Sequence, residues 1–513
     1  MENKKTKIVS IIAIIALVLT LVTATYAYFQ AQTGEGSQAD VKINANTVDT
    51  LTFETGSAIS LSLDQTSFAQ GTGNQIGTTF AKTMLTANNK TNSAIEHYYL
   101  YLNIENNTFT YSIDENTPEI IMTITDSAGT EVTDISTLAH VIVTGANGTQ
   151  VSGYDVTNKS GLITLFNNRE ITTTSSKEEK WNITITFVNY DASQNANVGK
   201  NMSAKVMIQK DKLPEVLSEV CTNGNNLATC ITTLSSESVS EATNIYYHDD
   251  TLINGAADNS YRYSGANPSN FVCFGTNETP CPIDNLYRII GVFNDQVKLI
   301  KYDYANSNLL GTGGAYRDAF RINKNYYKGS FDIVDRYAWN NTTRTNTWSE
   351  SSLNTSNLNG IFIKYIGTEW AKKIATTTWK VKGSTYSNVF NSVPLMIYQN
   401  EIVGVADKET YKAQIGLMYI SDYVYGASPN VWTSTLSNYN SIYITSVNWI
   451  YMGFYEWTIY RLEGNSVIDL MLDGSVYHES VNSSCGVRPT FYLVNSVNYL
   501  EGDGTQNSPI RIS

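Results

Sequence analysis

In this 513-residue chain the side chains of greatest reactive potential are five cysteines, four histidines and those of the run Cys485-Gly486-Val487-Arg488-Pro489. A cysteine acts as a nucleophile only as its thiolate, with a neighbouring base or cation to create it. No base at a fixed spacing from Cys485 can be named. A structural role accounts for the run better. Gly486 would allow a tight backbone, Arg488 would pin a carboxylate or carbonyls with its fork of donors, and Pro489 would stiffen the entry to a strand over Thr490 to Val494. The other cysteines stand nine apart (Cys221, Cys230) and eight apart (Cys273, Cys281), so two local disulfides are expected, with Cys485 left over. The spacing itself leaves the connectivity open. No CxxC occurs and the histidines are far apart, so no metal site and no cofactor are expected. His248 beside Asp249 and His478 beside Glu479 are expected at the surface, and Asp249-Asp250 lacks the calcium-loop pattern and reads as a solvated turn. HExxH, GxSxG, phosphate-cradling and dinucleotide patterns are all absent.

A denser signal is aromatic. Trp449, Tyr451, Phe454, Tyr455, Trp457 and Tyr460 fall close together, followed by Tyr477 and His478. A strand buries every second residue, so part of this set must pack a core. The rest would form a recognition face, because Tyr and Trp give large contact area at low entropic cost. Sugar or protein ligands suit that surface. Trp449, Tyr451, Tyr455, Trp457, Tyr460, Tyr477 and His478 are the candidate ligand-binding residues.

The scaffold that carries these side chains reads as mostly strands. Trp181, Ile183, Ile185 and Phe187 alternate with Asn182, Thr184 and Thr186; Tyr98, Leu100, Leu102 and Ile104 repeat the period of two, as do Ala204, Val206 and Ile208. Turn signals such as Asn147-Gly148 separate the runs. Residues 28–210 are therefore expected to form a β-sandwich, jelly-roll-like. Residues 211–243, polar and carrying Pro214, read as a linker with a short helix. Residues 244–513 read as a mixed α+β domain, with a hairpin turning at Asn294-Asp295. A helical stripe of Phe362, Ile366, Trp370 and Ile374 is interrupted near Gly360 or Gly367. The fold class is mainly β.

The formal net charge of -13 argues against nucleic-acid binding, which needs a basic footprint. Lys4, Lys5 and Lys7 precede an uncharged run from Ile8 to Ala24, followed by small residues at Thr25 and Ala27. Residues 1–27 thus read as a signal peptide, or as an N-terminal anchor and the one membrane contact. An extracellular or cell-surface location follows, and it permits disulfides. No LPxTG sorting signal occurs near the end of the sequence, so sortase attachment is not expected.

"ATYAYFQ" after the leader, together with "WNITITFVNYDASQNANVGKNMSAKVMIQ", resembles the TasA/camelysin family of Gram-positive biofilm-matrix proteins. The resemblance covers roughly residues 1–210. It implies a jelly roll that assembles into fibres by strand addition, the donor starting near Tyr28. The metalloprotease activity described for camelysin members is not carried over, for want of a ligand constellation. "YRYSGANPSNFVCFG", "LYRIIGVFNDQVKLIK", "IGLMYISDYVYGASP", "NWIYMGFYEWTIYR" and "GVRPTFYLVNSVNYLEGDGTQNSPIRI" resemble an uncharacterised domain of secreted Gram-positive proteins. "GVRPTFYL" is also similar to the close of C-type-lectin-like folds related to formylglycine-generating enzymes, where that strand is structural. The expectation is a non-enzymatic secreted or surface protein of a Gram-positive-type bacterium. Its first domain would anchor or polymerise, and its second would bind a glycan or protein. The alternatives are a diversified lectin-like receptor-binding protein, and a secreted hydrolase or formylglycine-type enzyme.

Overall fold

A computed structural model describes residues 49–68, 73–88, 93–135, 137–190, 192–381, 385–404 and 410–513. Residues 1–27, expected as a leader or anchor, and the expected donor segment near Tyr28 lie outside the described residues. Among those described, no helix is long and apolar enough to cross a membrane. Among the described residues, strands make up 37% against 19% for helix, so the protein is mainly β. It divides into two compact units, Met1–Lys212 and Leu213–Ser513.

The first unit is a β-sandwich. Its strands are β1 (Thr50–Thr55), β2 (Ile59–Ser62), β3 (Gln75–Thr86), β4 (Ala94–Asn107), β5 (Ile120–Thr125), β6 (His140–Thr144), β7 (Gln150–Asp155), β8 (Gly161–Thr173), β9 (Ser176–Phe187) and β10 (Asn201–Gln209). One sheet runs β1-β3-β9-β5-β7-β6 and the other β2-β10-β4-β8. The alternation seen in the sequence fills the space between them. Trp181, Ile183, Ile185 and Phe187 from β9 meet Tyr98, Leu100, Leu102 and Ile104 from β4, all of them buried. One polar chain ties the two sheets. Trp181 Nε1 donates to Tyr98 Oη (2.8 Å), Tyr98 donates to Glu179 Oε2 (2.7 Å), and Arg169 Nε reaches the same oxygen at 3.0 Å. Each buried donor is thereby satisfied, as burial demands. Gly148, at φ 77°, makes the turn between β6 and β7.

The second unit is a mixed α+β domain around a seven-stranded sheet. The order runs Ile245–Tyr247, Tyr261–Tyr263, Leu286–Phe293, Gln296–Lys301, Thr490–Tyr492, Ile415–Gly416, with Phe271–Cys273 also paired to Leu286–Phe293. The expected hairpin is present. Asn294 and Asp295 both take positive φ (48° and 61°), the pairing a two-residue type I′ turn requires. A three-stranded sheet, Glu456–Arg461, Ser466–Leu470 and Val476–Ser480, packs into the same core. The helical stretch from Leu353 to Ala371 breaks at Gly367 (φ 78°), not at Gly360; Phe362, Ile366 and Ile374 are buried, and Trp370 packs at the core's margin.

One expectation about organisation needs correction. The stretch expected as a linker, residues 211–243, belongs from Leu213 onward to the second unit. Leu217, Cys221, Leu227, Ala228, Cys230, Ile231 and Leu234 all enter the second unit's core. The helix Leu227–Glu237 starts with Asn226, whose side chain accepts from Thr229 N. The polar Ser and Thr residues that suggested a linker occupy the helix's outer face, while its apolar stripe is short enough to escape notice.

Candidate functional site

Both local disulfides form, Cys221–Cys230 and Cys273–Cys281, and Cys485 is a free, buried thiol. Cys485 pairs in an isolated bridge with Tyr337. Its Sγ lies 3.9 Å from Asp469 Oδ2. Burial pushes the thiol well up, and the negative charges of Asp469 and Glu479 push it further. A sulfur held that way stays protonated, which is the reverse of what activates a nucleophile. Beside it, Arg488 is buried and charged. Its Nε donates to Glu456 Oε1 at 2.7 Å and its Nη2 to the Ile450 carbonyl at 2.7 Å. Tyr304 donates to Glu456 Oε2 at 3.2 Å. Gly486 packs where a Cβ would sit 2.6 Å from a carbon of the Tyr304 ring. The run Cys485 to Pro489 is therefore a structural clamp joining the strand Glu456–Arg461 to the main sheet. Replacing Gly486 with alanine is expected to destabilise the second unit by about 1–3 kcal/mol through overpacking, measured as a loss in urea midpoint at unchanged slope.

The aromatic cluster is divided by burial. Trp449, Tyr451, Trp457 and Tyr460 are core residues, and Trp457 is fully buried. Their polar atoms are turned inward. Trp449 Nε1 donates to the Tyr263 carbonyl, Trp457 Nε1 to the Tyr337 carbonyl and Tyr451 Oη to the Leu472 carbonyl, each at 2.7 Å. Tyr455 is half-buried against Phe454. These five do not form a recognition face. Alternation misleads here because the strand Glu456–Arg461 is covered on both faces, burying Glu456 and Thr458 as well as Trp457 and Ile459.

Tyr477 and His478 remain at the surface, on the strand Val476–Ser480. Tyr477 is 42% exposed. The structure adds two rings from the short helix Tyr386–Phe390. Tyr386 lies 4.5 Å from the His478 ring, 5.9 Å from Tyr477 and 5.5 Å from Phe390, between centroids. Tyr477 and His478 stack at 5.0 Å with an 18° interplanar angle. The Tyr386 hydroxyl reaches the Val476 carbonyl at 3.5 Å, which fixes the helix on the strand. Ser387, Asn388 and Asn391 are exposed on the same helix and its end. Four rings with polar amides and hydroxyls beside them form a platform able to stack an apolar face and hydrogen-bond a polar edge. Sequence reasoning missed Tyr386 and Phe390. The signal was there in "STYSNVFNS", two aromatics set among small polar residues.

His248 corrects another expectation. It is fully buried, its Nδ1 accepts from Ala256 N at 3.0 Å, and its ring packs on Tyr425 and Trp432. Burial, chiefly, holds its pKa well below the usual imidazole range. Asp249 caps a turn, accepting from Thr251 N and Leu252 N. Among the described residues, no three His, Cys, Asp or Glu side chains group as metal ligands do. In the first unit a polar groove of about 250 Å³ is lined by Glu96, His97, Tyr99, Asn168 and Lys210, with Glu96 and Lys210 paired at 2.9 Å.

No known family matches the sequence, and no curated protein does. Among solved structures the chain aligns with that of TmCBM61 in complex with beta-1,4-galactotriose. The identity is 9% over 35% of this chain and 93% of that one, with a TM-score of 0.13. A score that low carries no argument about fold or ligand.

Proposed function

We propose that this chain is an exported, non-enzymatic binding protein whose second unit engages a glycan through the platform of Tyr386, Phe390, Tyr477 and His478. This group of four adjoining rings carries the reading: Tyr477 is exposed, Tyr386, Phe390 and His478 are half-buried beside it, and Tyr477 and His478 stack. Aromatic area left partly in water, in a unit that buries most of its other rings, suits an interaction site. Sugars present flat C–H faces that stack on such rings and hydroxyls that pair with Asn and Ser. The two disulfides support export, since such bonds persist in oxidising compartments. The β-sandwich unit would serve to anchor the protein or to assemble it, as the resemblance to the matrix family implies.

A glycan array probed with the full exported chain tests the proposal. The expected outcome is saturable binding to a restricted set of sugars, weakened about 10-fold or more when Tyr386 or Tyr477 becomes alanine. That loss corresponds to about 1–3 kcal/mol for a stacked ring at a binding centre. Binding that survives the double variant Y386A/Y477A unchanged, or no binding to any glycan, would set the proposal aside. In that last case a protein ligand for the same platform becomes the next candidate.

A further inference from the structure

Lys298 lies in the strand Gln296–Lys301 of the main sheet, and its side chain is fully buried. Nζ stands 2.6 Å from Oδ2 of Asp422, a residue 124 positions later in the chain whose side chain is 2% exposed. Aromatic rings enclose the amine: Tyr419 at 4.3 Å, Tyr492 at 5.2 Å, Phe293 at 5.6 Å and Trp379 at 5.7 Å from Nζ to the centroid. Asp422 sits in the first turn of the helix Ile420–Tyr425, where Oδ2 also accepts from Tyr419 N at 2.8 Å. Glu401 fixes the same turn, accepting from Ile420 N and Ser421 N, both at 2.8 Å. The amine and the carboxyl are thus held together from both sides, in a site where two charges are expensive to keep.

We propose that Lys298 and Asp422 are joined by an intramolecular isopeptide bond between Nζ and Cγ. The balance is simple. Within the existing contact the ammonium gives one proton to the carboxylate, leaving a neutral amine and a neutral acid. The Nζ lone pair adds to Cγ. The adduct then loses the acid's hydroxyl, which takes a second hydrogen from nitrogen and leaves as water. One C–N bond forms, one C–O bond breaks, nothing is oxidised or reduced, and no co-reactant is needed. The surroundings favour the neutral amine. Burial pulls the Lys298 amine down, even though Asp422 opposes it, and burial raises the Glu401 carboxyl to about 7. Glu401 is a positioning residue here, holding the helix start that presents Asp422. The product amide carries no charge, so the desolvation cost of the ion pair disappears. It would also staple the main sheet to the helix Ile420–Tyr425, restraining the unfolded chain as a long-range cross-link does.

Tryptic peptide mapping of the denatured, reduced wild-type chain decides the matter. The expected result is no cleavage after Lys298, and one linked species containing the Lys298 and Asp422 peptides, lighter by one water than their sum. A K298R variant keeps the cation but cannot form this amide, so it should give the two peptides separately. Full recovery of unlinked peptides from the wild type, with normal cleavage after Lys298, would overturn the proposal. So would a linked species that persists in K298R. The wild-type map stands alone if K298R does not fold.

Discussion

Replacing Arg488 with methionine is expected to remove about 3–5 kcal/mol from the stability of the second unit and to lower its melting temperature by roughly 10 °C. The substitution strands Glu456, which is 1% exposed and would keep only the Tyr304 hydroxyl, and it leaves the Ile450 carbonyl without its donor. An unpaired buried carboxylate costs far more than the net worth of the pair it came from. A double-mutant cycle separates the two. R488M together with E456M removes both charges, and it should recover most of the loss, since an apolar pair of similar volume can replace a buried ion pair at little cost. Thermal melts followed by tryptophan emission suit the measurement. Seven of the eight tryptophans (all but Trp181) lie in the second unit. A single variant as stable as the wild type would mean that the clamp contributes nothing, and the structural reading of the Cys485–Pro489 run would fail with it.

The second large effect is a dependence on pH. Burial raises the Asp469 carboxyl from 3.8 to about 8, with Glu479's charge adding to the shift, and one of its oxygens has no hydrogen-bond partner. Burial likewise raises Glu401 from 4.5 to about 7. Both folded-state values lie above the unfolded ones. Each group therefore adds stability that is complete in acid and is lost as pH rises through the folded value. His248 runs the other way, chiefly below about pH 6.5 and fading over the next pH unit, where the unfolded imidazole takes up a proton that the buried ring refuses. Lys301, lowered to about 8 by burial, opposes the trend only above that value. In the window from about pH 6.5 to 7.5 both carboxyls act in the same direction, and Glu456, also raised by burial, does not oppose them. There, stability should fall by about 1 kcal/mol per pH unit for each group. Urea denaturation across this window should show the midpoint dropping as pH rises, and D469N should flatten the slope by about half. A midpoint that rises with pH over the same range would contradict the burial of both carboxyls.

Much of this architecture was legible in the residues. Period-two alternation located β4, β9 and β10 because a two-sheet sandwich leaves each strand one wet face, and the pattern records it. Asn294-Asp295 specified its hairpin because few residue pairs tolerate two consecutive positive φ values. Cysteine spacing anticipated both disulfides for a geometric reason: eight- and nine-residue loops bring their ends within reach. The candidate site was less legible. Trp449 and Trp457 carry the same side chain whether they face a ligand or a core. Only the second layer covering the strand Glu456–Arg461, formed by distant segments, shows that they are inside. The surface platform unites residues 386–390 with 477–478, which nothing local in the sequence brings together. The helix Leu227–Glu237 was obscured by Ser and Thr, which favour caps and turns over helix interiors unless a tertiary core holds them. The Lys298–Asp422 contact spans 124 positions and has no sequence signature at all.

The central proposal is that a sugar meets the ring group of Tyr386, Phe390, Tyr477 and His478. A crystal structure of the chain with the tightest-binding oligosaccharide from the array would test this most directly. A sugar ring stacked on Tyr477 or Tyr386, with its hydroxyls paired to neighbouring amides or hydroxyls, is the predicted result. A sugar bound elsewhere, with the four rings bare, would contradict it.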